Sequence, residues 1–255
     1  MNGANALRES LARARSGTGV VLLLAFTAVG FATVFVQQSL LDATVSRYLA
    51  AGGDPSIFPE GFLPIPLSLG VPYELAALGF ATVAVSNEYL MIVTLRTFAG
   101  EALLPAATRR VGRAVVAGVL VGIVVRTLVV VGLLAFVLPG AFLAVSLLFA
   151  HARVAIEDDG PATALREAWA LAEGRRFEVF SVVTLLAALY LTPLAVDSFV
   201  DAAETGLLVR GVLLGPMSLL SSAIVARAYV DFTTEPETAE DPYGQPLGPD
   251  DLPEP

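Results

Sequence analysis

Long apolar runs alternate with short polar connectors along this chain of 255 residues. A helix needs about 20 apolar residues to cross roughly 30 Å of hydrocarbon, and several of the runs reach that length. The first run is longer than the apolar core of a signal peptide, which has about 7–15 residues, so we expect it to be an uncleaved span. The pattern predicts an all-α integral membrane bundle of six transmembrane helices, at about 18–41, 69–98, 111–136, 140–156, 177–196 and 206–230.

Two segments outside this six-span domain have their own patterns. Residues 1–16 carry three arginines, with leucine and alanine at helical spacing, which predicts an amphipathic helix on the cytoplasmic membrane surface; a frayed tail is the alternative. Residues 231–255 hold eight acidic residues, no basic residue and many prolines. Such a segment buries too little apolar surface to fold, so we expect a disordered acidic cytoplasmic tail.

Composition agrees with a membrane protein and limits the chemistry. The chain is 56% hydrophobic and 15% charged, with a mean hydropathy of +0.74, whereas soluble domains carry about 25% charged residues. It has one histidine and no cysteine, which excludes disulfides and thiolate metal sites. All of its basic residues are arginines, and its net charge is -9. An acidic chain without lysine suggests a halophilic archaeon, with a GC-rich mesophile as the alternative.

The arginines predict how the helices are oriented. Cytoplasmic loops carry an excess of basic residues. Twelve arginines fall on the side of the two termini and two, Arg47 and Arg210, on the other. We therefore expect a multi-pass protein of the cell membrane with both termini in the cytoplasm. The twelve are Arg8, Arg13, Arg15, Arg96, Arg109, Arg110, Arg113, Arg153, Arg166, Arg175, Arg176 and Arg227.

The connector between the fourth and fifth spans predicts a surface helix. Asp158, Asp159 or Gly160 can cap its start, and Pro161 suits the first helical turn because its missing N–H would be unpaired there. Apolar residues at helical spacing form one face, and Trp169 is expected at the depth of the lipid headgroups. The residues of this motif are Asp158, Gly160, Pro161, Arg166, Trp169 and Arg176.

The stretch 138–180 resembles a pattern found in uncharacterised multi-pass membrane proteins of halophilic archaea. It is also similar to bacterial proteins related to the membrane domain of glycerophosphoryl diester phosphodiesterases. The resemblance implies a helical membrane domain and no catalysis, since the phosphodiesterase activity belongs to a separate soluble domain. The matching residues are Pro139, Gly140, Glu157, Asp158, Gly160, Pro161, Ala164, Leu165, Arg166, Trp169, Gly174 and Arg176.

Charged residues inside the predicted spans form a candidate polar site. Arg126 lies fifteen residues into the third span, or about 22 Å along it. Glu74, near the outer end of the second span, is at a compatible depth, so we predict an Arg126–Glu74 pair. It is either a solute pathway or a structural pair, with a snorkelling Arg126 as a further alternative. Glu88, next to Asn87, is either an ion or proton site or an interfacial partner of a cytoplasmic arginine.

Two further patterns leave alternatives open. The acidic run 157–159 with His151 could bind a hard cation such as Mg²⁺, or could be a solvated turn that caps the following helix; the second is favoured. The pairs Gly118/Gly122 and Gly211/Gly215 allow close helix approach, either inside the chain or in a homo-oligomer. We expect no metal, no cofactor and no nucleic-acid partner, with the lipid bilayer as the surroundings.

Three functions remain open at this point. The first hypothesis is a non-enzymatic protein with a structural, scaffold or membrane-homeostasis role. The second is a small transporter or channel-like protein in which Glu74, Glu88 and Arg126 line a path. A membrane enzyme acting on lipids is the least favoured, because no nucleophile or acid–base set is evident. A water-filled cavity shared by the charges favours transport, whereas charges paired at interfaces favour a scaffold.

Overall fold

The computed structural model describes residues 17–59, 61–197 and 203–234, and within these ranges the chain is helical with no strand. The predicted all-α fold is confirmed. A short 3-10 turn, Pro55–Ile57, lies in the loop after the first helix. The α-helices are α1 Gly17–Ala50, α2 Tyr73–Ala99, α3 Leu103–Thr108, α4 Val111–Ala135, α5 Val137–Ser146, α6 Ala150–Ile156, α7 Pro161–Ala172, α8 Arg176–Asp197 and α9 Ala203–Thr234.

Five of the described helical segments are long and apolar enough to cross a membrane. This agrees with a membrane protein, as the sequence predicts. One of the five consists of α5 and α6, which follow each other with a short break at residues 147–149. The segments are Gly17–Ala50, Tyr73–Ala99, Val111–Ala135, Val137–Ile156 and Glu204–Thr234.

Several boundaries differ from the predictions. Helix α1 continues to Ala50, nine residues past the predicted end at residue 41. The predicted break between the third and fourth spans, at residues 137–139, is wrong: the chain turns at Phe136, and Pro139 lies in the first turn of α5, where a proline leaves no hydrogen bond unmade. Residues 1–16 lie outside the described residues. Of the predicted tail, residues 231–234 continue α9 and the rest lies outside the description.

Helices α1 and α9 pack closely along glycines. Gly211 and Gly215 of α9 face α1, where a Cβ added at Gly215 would lie 2.6 Å from the Cα of Thr27. On α1, a Cβ added at Gly30 would lie 2.8 Å from the carbonyl oxygen of Gly211. Only glycine allows two helix backbones to come this close. The Gly211/Gly215 pair is therefore buried inside the chain, and a homo-oligomer through it stays an untested prediction.

A fully buried arginine joins the helices at one end of the bundle. The Arg96 side chain, on the last turn of α2, is 0% exposed. Its Nε donates to the carbonyl of Ala155 at 2.6 Å, and one terminal nitrogen donates to the carbonyls of Ala106 and Arg109 at 3.2 and 2.6 Å. The other terminal nitrogen donates to a carboxylate oxygen of Asp158 at 2.9 Å. Arg96 thus ties α2 to α3, to α6 and to the acidic turn.

Asp158 receives a second arginine and has a structural role other than the one predicted. Its other carboxylate oxygen accepts from Arg109 at 2.9 Å, and its backbone is left-handed, with φ of +58°. The N-cap of α7 is Gly160, with Pro161 in the first turn and no side-chain cap. The prediction that the acidic turn is a solvated helix cap is therefore wrong in its mechanism. Asp158 neutralises two guanidinium groups instead.

The neighbouring acids extend this cluster of paired charges. Arg153 contacts Asp159 at 2.7 Å and donates to the hydroxyl oxygen of Tyr229 on α9 at 3.3 Å. Tyr229 in turn donates to Glu157 at 2.9 Å. All three carboxylates of the turn therefore have partners from other elements. We call this set the arginine layer; it consists of Arg96, Arg109, Arg153, Glu157, Asp158, Asp159 and Tyr229.

Replacing Arg96 with methionine tests the arginine layer. The change leaves three carbonyls and one carboxylate oxygen without their donor, and removal of one partner of a buried ion pair costs about 3–5 kcal/mol. We expect Arg96→Met to lower the unfolding midpoint of the detergent-solubilised protein strongly. Arg113→Met, which changes an exposed arginine at the start of α4, is the control and should have little effect. Equal midpoints for the two variants would contradict the account.

Candidate functional site

Glu88 and His151 form a buried polar pair between α2 and α6. Glu88 is only 6% exposed, and its Oε1 lies 3.8 Å from Nε2 of His151. Neither of these two atoms has a hydrogen-bond partner among the described residues. Buried polar atoms are nearly always satisfied, and exceptions commonly mark functional places or unseen water. The pair is therefore a candidate functional site within the described part of the chain.

Two glycines of α4 make the space for this pair. A Cβ added at Gly118 would collide with Oε1 of Glu88, and one added at Gly122 would lie 3.2 Å from Nε2 of His151. Both glycines are buried. Gly118 and Gly122 thus leave room for a carboxylate and an imidazole from two other helices. The space beside both glycines is occupied by side chains of this chain itself.

Arg126 continues the same face of α4, one turn beyond Gly122. Arg126 and His151 line the same cavity, and His151 is the neighbour of Glu88. No hydrogen bond or salt bridge joins its guanidinium to another residue in the described ranges. The structure therefore brings Arg126, Glu88 and His151 together, and we call them the polar centre.

Two cavities meet at Arg126. The first, of about 260 Å³, is lined by α1, α2, α4, α8 and α9, with polar groups from four of them in addition to the arginine. The second, of about 360 Å³, contains His151 and two serines of α9. Arg126 and Tyr190 line both. The polar lining residues are Thr33, Gln37, Asn87, Tyr190 and Ser218 in the first cavity, and His151, Tyr190, Ser221 and Ser222 in the second.

The predicted Arg126–Glu74 pair is wrong. Glu74 lies 3.9 Å from Arg47, and both side chains are largely exposed. Arg126 shares its cavity with Asn87, which is thirteen residues, or about 20 Å of helix, further along α2 than Glu74. The position of Arg126 within its own helix does not give its level relative to α2. Because Arg126 lies at the level of Asn87, Glu74 in the first turn of α2 is at the end of the bundle and outside the polar centre.

The alternative that Glu88 meets Arg96 is wrong, because the Arg96 side chain donates to Ala155 and Asp158 instead. The sequence suggests His151 only as a possible cation ligand with the 157–159 turn, and its pairing with Glu88 is not predicted because nothing near it in the chain pairs with it. The spacing of Gly118, Gly122 and Arg126 marks the face of α4 that receives it, although only the fold shows which helix packs there.

The surface motif has structural contacts that explain its composition. Alanines at every fourth position of α7 are fully buried, namely Ala164, Ala168 and Ala172. Trp169 packs edge to face on Phe142 of α5, with ring centroids 5.5 Å apart. Gly174, which follows α7, has a φ of +81°, as expected of a helix stop. Arg166 pairs with Glu167 on the surface.

Metal binding finds no support in this part of the molecule. Within residues 17–59, 61–197 and 203–234 there is no group of three histidine or acidic side chains placed to hold a metal ion. The acids of the 157–159 turn are directed at arginines and a tyrosine, and His151 lies with Glu88 instead. The hypothesis of a hard-cation site at this turn is not supported by the geometry.

Comparison with known proteins leaves the function to be argued from the site. No family model, curated protein or solved structure matches this chain. The resemblance of residues 138–180 to a membrane-domain family stays a prediction.

A pair of variants tests the packing of the polar centre. Gly118→Ala places a methyl group against a Glu88 carboxylate that is already confined, and overpacking of this kind costs about 1–3 kcal/mol. We expect a lower unfolding midpoint in detergent, and a partial recovery when Glu88→Ala is added. Gly112→Ala, in the same helix and with open space around it, is the control. A Gly118→Ala midpoint equal to that of the control, or no recovery in the double variant, would contradict the packing described.

Proposed function

We propose that this chain is a six-span integral membrane protein that binds a small anionic solute at Arg126 and moves it across the membrane. The observation that carries the proposal is the polar cavity at Arg126, to which five helices contribute. The role is non-enzymatic, and the solute passes through the two cavities that meet at the arginine. This favours the transporter hypothesis over the scaffold.

Helix α8 is the proposed sixth span. It has 22 residues and a length of about 33 Å, enough for the hydrocarbon layer. Phe180 and Leu191 project from the bundle with more than half of their surface exposed, as suits a lipid-facing helix. Each of the other five segments already has the length and hydropathy of a span.

The arginine layer supports the proposed orientation. It gathers the arginine-rich connectors at one end of the bundle, where Arg175 also donates to the carbonyl of Phe232 at the end of α9. Arg47 and Glu74 lie at the ends of α1 and α2 away from this layer. By the excess of arginine, the layer faces the cytoplasm and the termini lie on the same side.

An anion is the solute class that fits the cavity best. A guanidinium recognises carboxylate and phosphate groups through several N–H donors. A charge held within the membrane is costly and normally faces water or a partner. The cavity of about 260 Å³ is near the lower end of ligand pockets, which hold roughly 300–1,000 Å³, so a small solute is expected. Amide and hydroxyl groups around the arginine can orient it.

The scaffold remains the second candidate because of the arginine layer. Several elements are joined there by ion pairs that are buried or half-buried, which suits a rigid platform on the cytoplasmic face. In that case the two cavities are filled by lipid or by packing of a partner, and Arg126 has no contact with water.

Cysteine labelling separates the two candidates. The chain has no natural cysteine, so single variants give clean results. We expect Ser218→Cys, beside Arg126 in the first cavity, to react with a charged, membrane-impermeant thiol reagent, because thiols react as thiolates and need water to ionise. The reaction should occur in right-side-out vesicles, since the arginine layer closes the cytoplasmic end.

Val212→Cys is the matched control for this experiment. It lies on the same helix, α9, but faces outward with 48% of its surface exposed, where lipid should keep its thiol unreactive. If Ser218→Cys is as unreactive as Val212→Cys in both right-side-out and inverted vesicles, the cavity is dry and the transport proposal fails in favour of the scaffold.

A further inference from the structure

A groove on the outer surface of the bundle combines apolar walls with one cation. It lies between α5 and α8 and has a volume of about 310 Å³. Its apolar residues are well exposed, including Leu138 at 82% and Phe177 at 93%. Arg176, the first residue of α8, is the single charged residue of its lining. The full lining is Leu138, Ala141, Phe142, Val145, Arg176, Phe177 and Phe180.

The Arg176 guanidinium is held in place by aromatic rings and not by a carboxylate. Its central carbon lies 4.9 Å from the centre of the Phe142 ring and 5.8 Å from that of Trp169. Its Nε is shielded from solvent and has no hydrogen-bond partner in the described ranges. An arginine that is stacked in this way keeps its donors free for an anion. The positive charge is therefore fixed in position and not neutralised by this part of the chain.

A second apolar groove lies on the other side of Trp169. It has a volume of about 410 Å³ and is lined by leucines of α4, α5 and α7. Arg166 borders it, but that arginine is 75% exposed and already contacts Glu167 at 3.0 Å. The grooves are separated by the Phe142–Trp169 pair, so that two apolar channels run beside one fixed cation. The lining residues of the second groove are Leu128, Leu143, Leu147, Leu165, Arg166 and Trp169.

We infer that Arg176 and the two grooves bind one anionic phospholipid, with its phosphate on Arg176 and an acyl chain in each groove. Charge complementarity identifies the headgroup, because the free donors of Arg176 need an acceptor and an acyl chain offers none. A tryptophan with an indole N–H is well placed at the level where headgroup and acyl chain meet. This inference is independent of the proposed transport activity and of the polar centre.

The single tryptophan of the chain lies between the two grooves and reports on their occupant. The full-length protein is reconstituted into phosphatidylcholine bilayers that contain equal fractions of brominated phosphatidylglycerol or brominated phosphatidylcholine. Bromine quenches tryptophan fluorescence at short range. We expect the anionic lipid to associate with the Trp169 region about fivefold more strongly than the zwitterionic one, the preference that one interfacial arginine typically provides.

Two variants of equal charge identify the residue responsible. Arg176→Gln should reduce the preference to about onefold, whereas Arg113→Gln, which removes an exposed arginine outside both grooves, should leave it unchanged. A wild-type ratio near one, or the same ratio in both variants, would overturn the inference.

A competition on the wild-type protein keeps the test decisive if Arg176→Gln does not fold. Unlabelled phosphatidylglycerol should relieve the quenching by its brominated form, and unlabelled phosphatidylcholine should not. Equal relief by both lipids would show that the grooves hold bulk lipid only. An absence of quenching by either brominated lipid would show that protein covers the grooves, and would likewise overturn the inference.

Discussion

The buried guanidinium of Arg96 is the constraint on which the rest of the interior depends. A charge that is 0% exposed is tolerated only when its donors are satisfied, and here three carbonyls and Asp158 supply the acceptors. The bond from Arg96 to the carbonyl of Ala155 also fixes the register between α2 and α6. Glu88 lies eight residues before Arg96, and His151 four residues before Ala155, so this register places the carboxylate and the imidazole side by side.

Helix α4 completes the arrangement because two of its residues have no side chain. Gly118 and Gly122 leave space for Glu88 and His151, and Arg126 follows on the same face, where it lines both cavities. A side chain at Gly118 would collide with Glu88, and one at Gly122 would crowd His151. The arginine layer thus holds one end of the bundle, and the polar centre lies in its middle. The proposed movement of a solute would take place in that middle part, outside the arginine layer.

Sequence patterns predict the elements well and the partners poorly, for a physical reason. The hydropathy of a segment depends only on its own residues. The all-α fold and the five segments long and apolar enough to span a membrane can therefore be predicted from the apolar runs. Arg126 and Glu88 could be selected because charges within spans are rare. Which charges meet depends on the relative shift of separate helices, and no pattern in the sequence gives that shift. The sequence for this reason suggests Glu74 as the partner of Arg126, and associates His151 with the acidic turn and not with Glu88.

The same limit explains why the contacts of the arginine layer cannot be predicted from the sequence. Arg96 and Asp158 are 62 positions apart, and each was interpreted through its own neighbourhood, as a connector arginine and a helix cap. Pro139 and Gly140 similarly predict a turn by local preference, although packing of Gly140 against Leu133 places both in a helix that starts immediately after α4. At these two residues, contacts between helices override the local conformational preference for a turn.

A crystal structure of the protein grown in a lipid phase, at a resolution that shows ordered water, tests the central claim most directly. The account predicts water molecules or a bound anion at Arg126, between Asn87 and Ser218, with further water at Glu88 and His151. Continuous acyl-chain density through both cavities, with the Arg126 side chain extended to the headgroups, would contradict it.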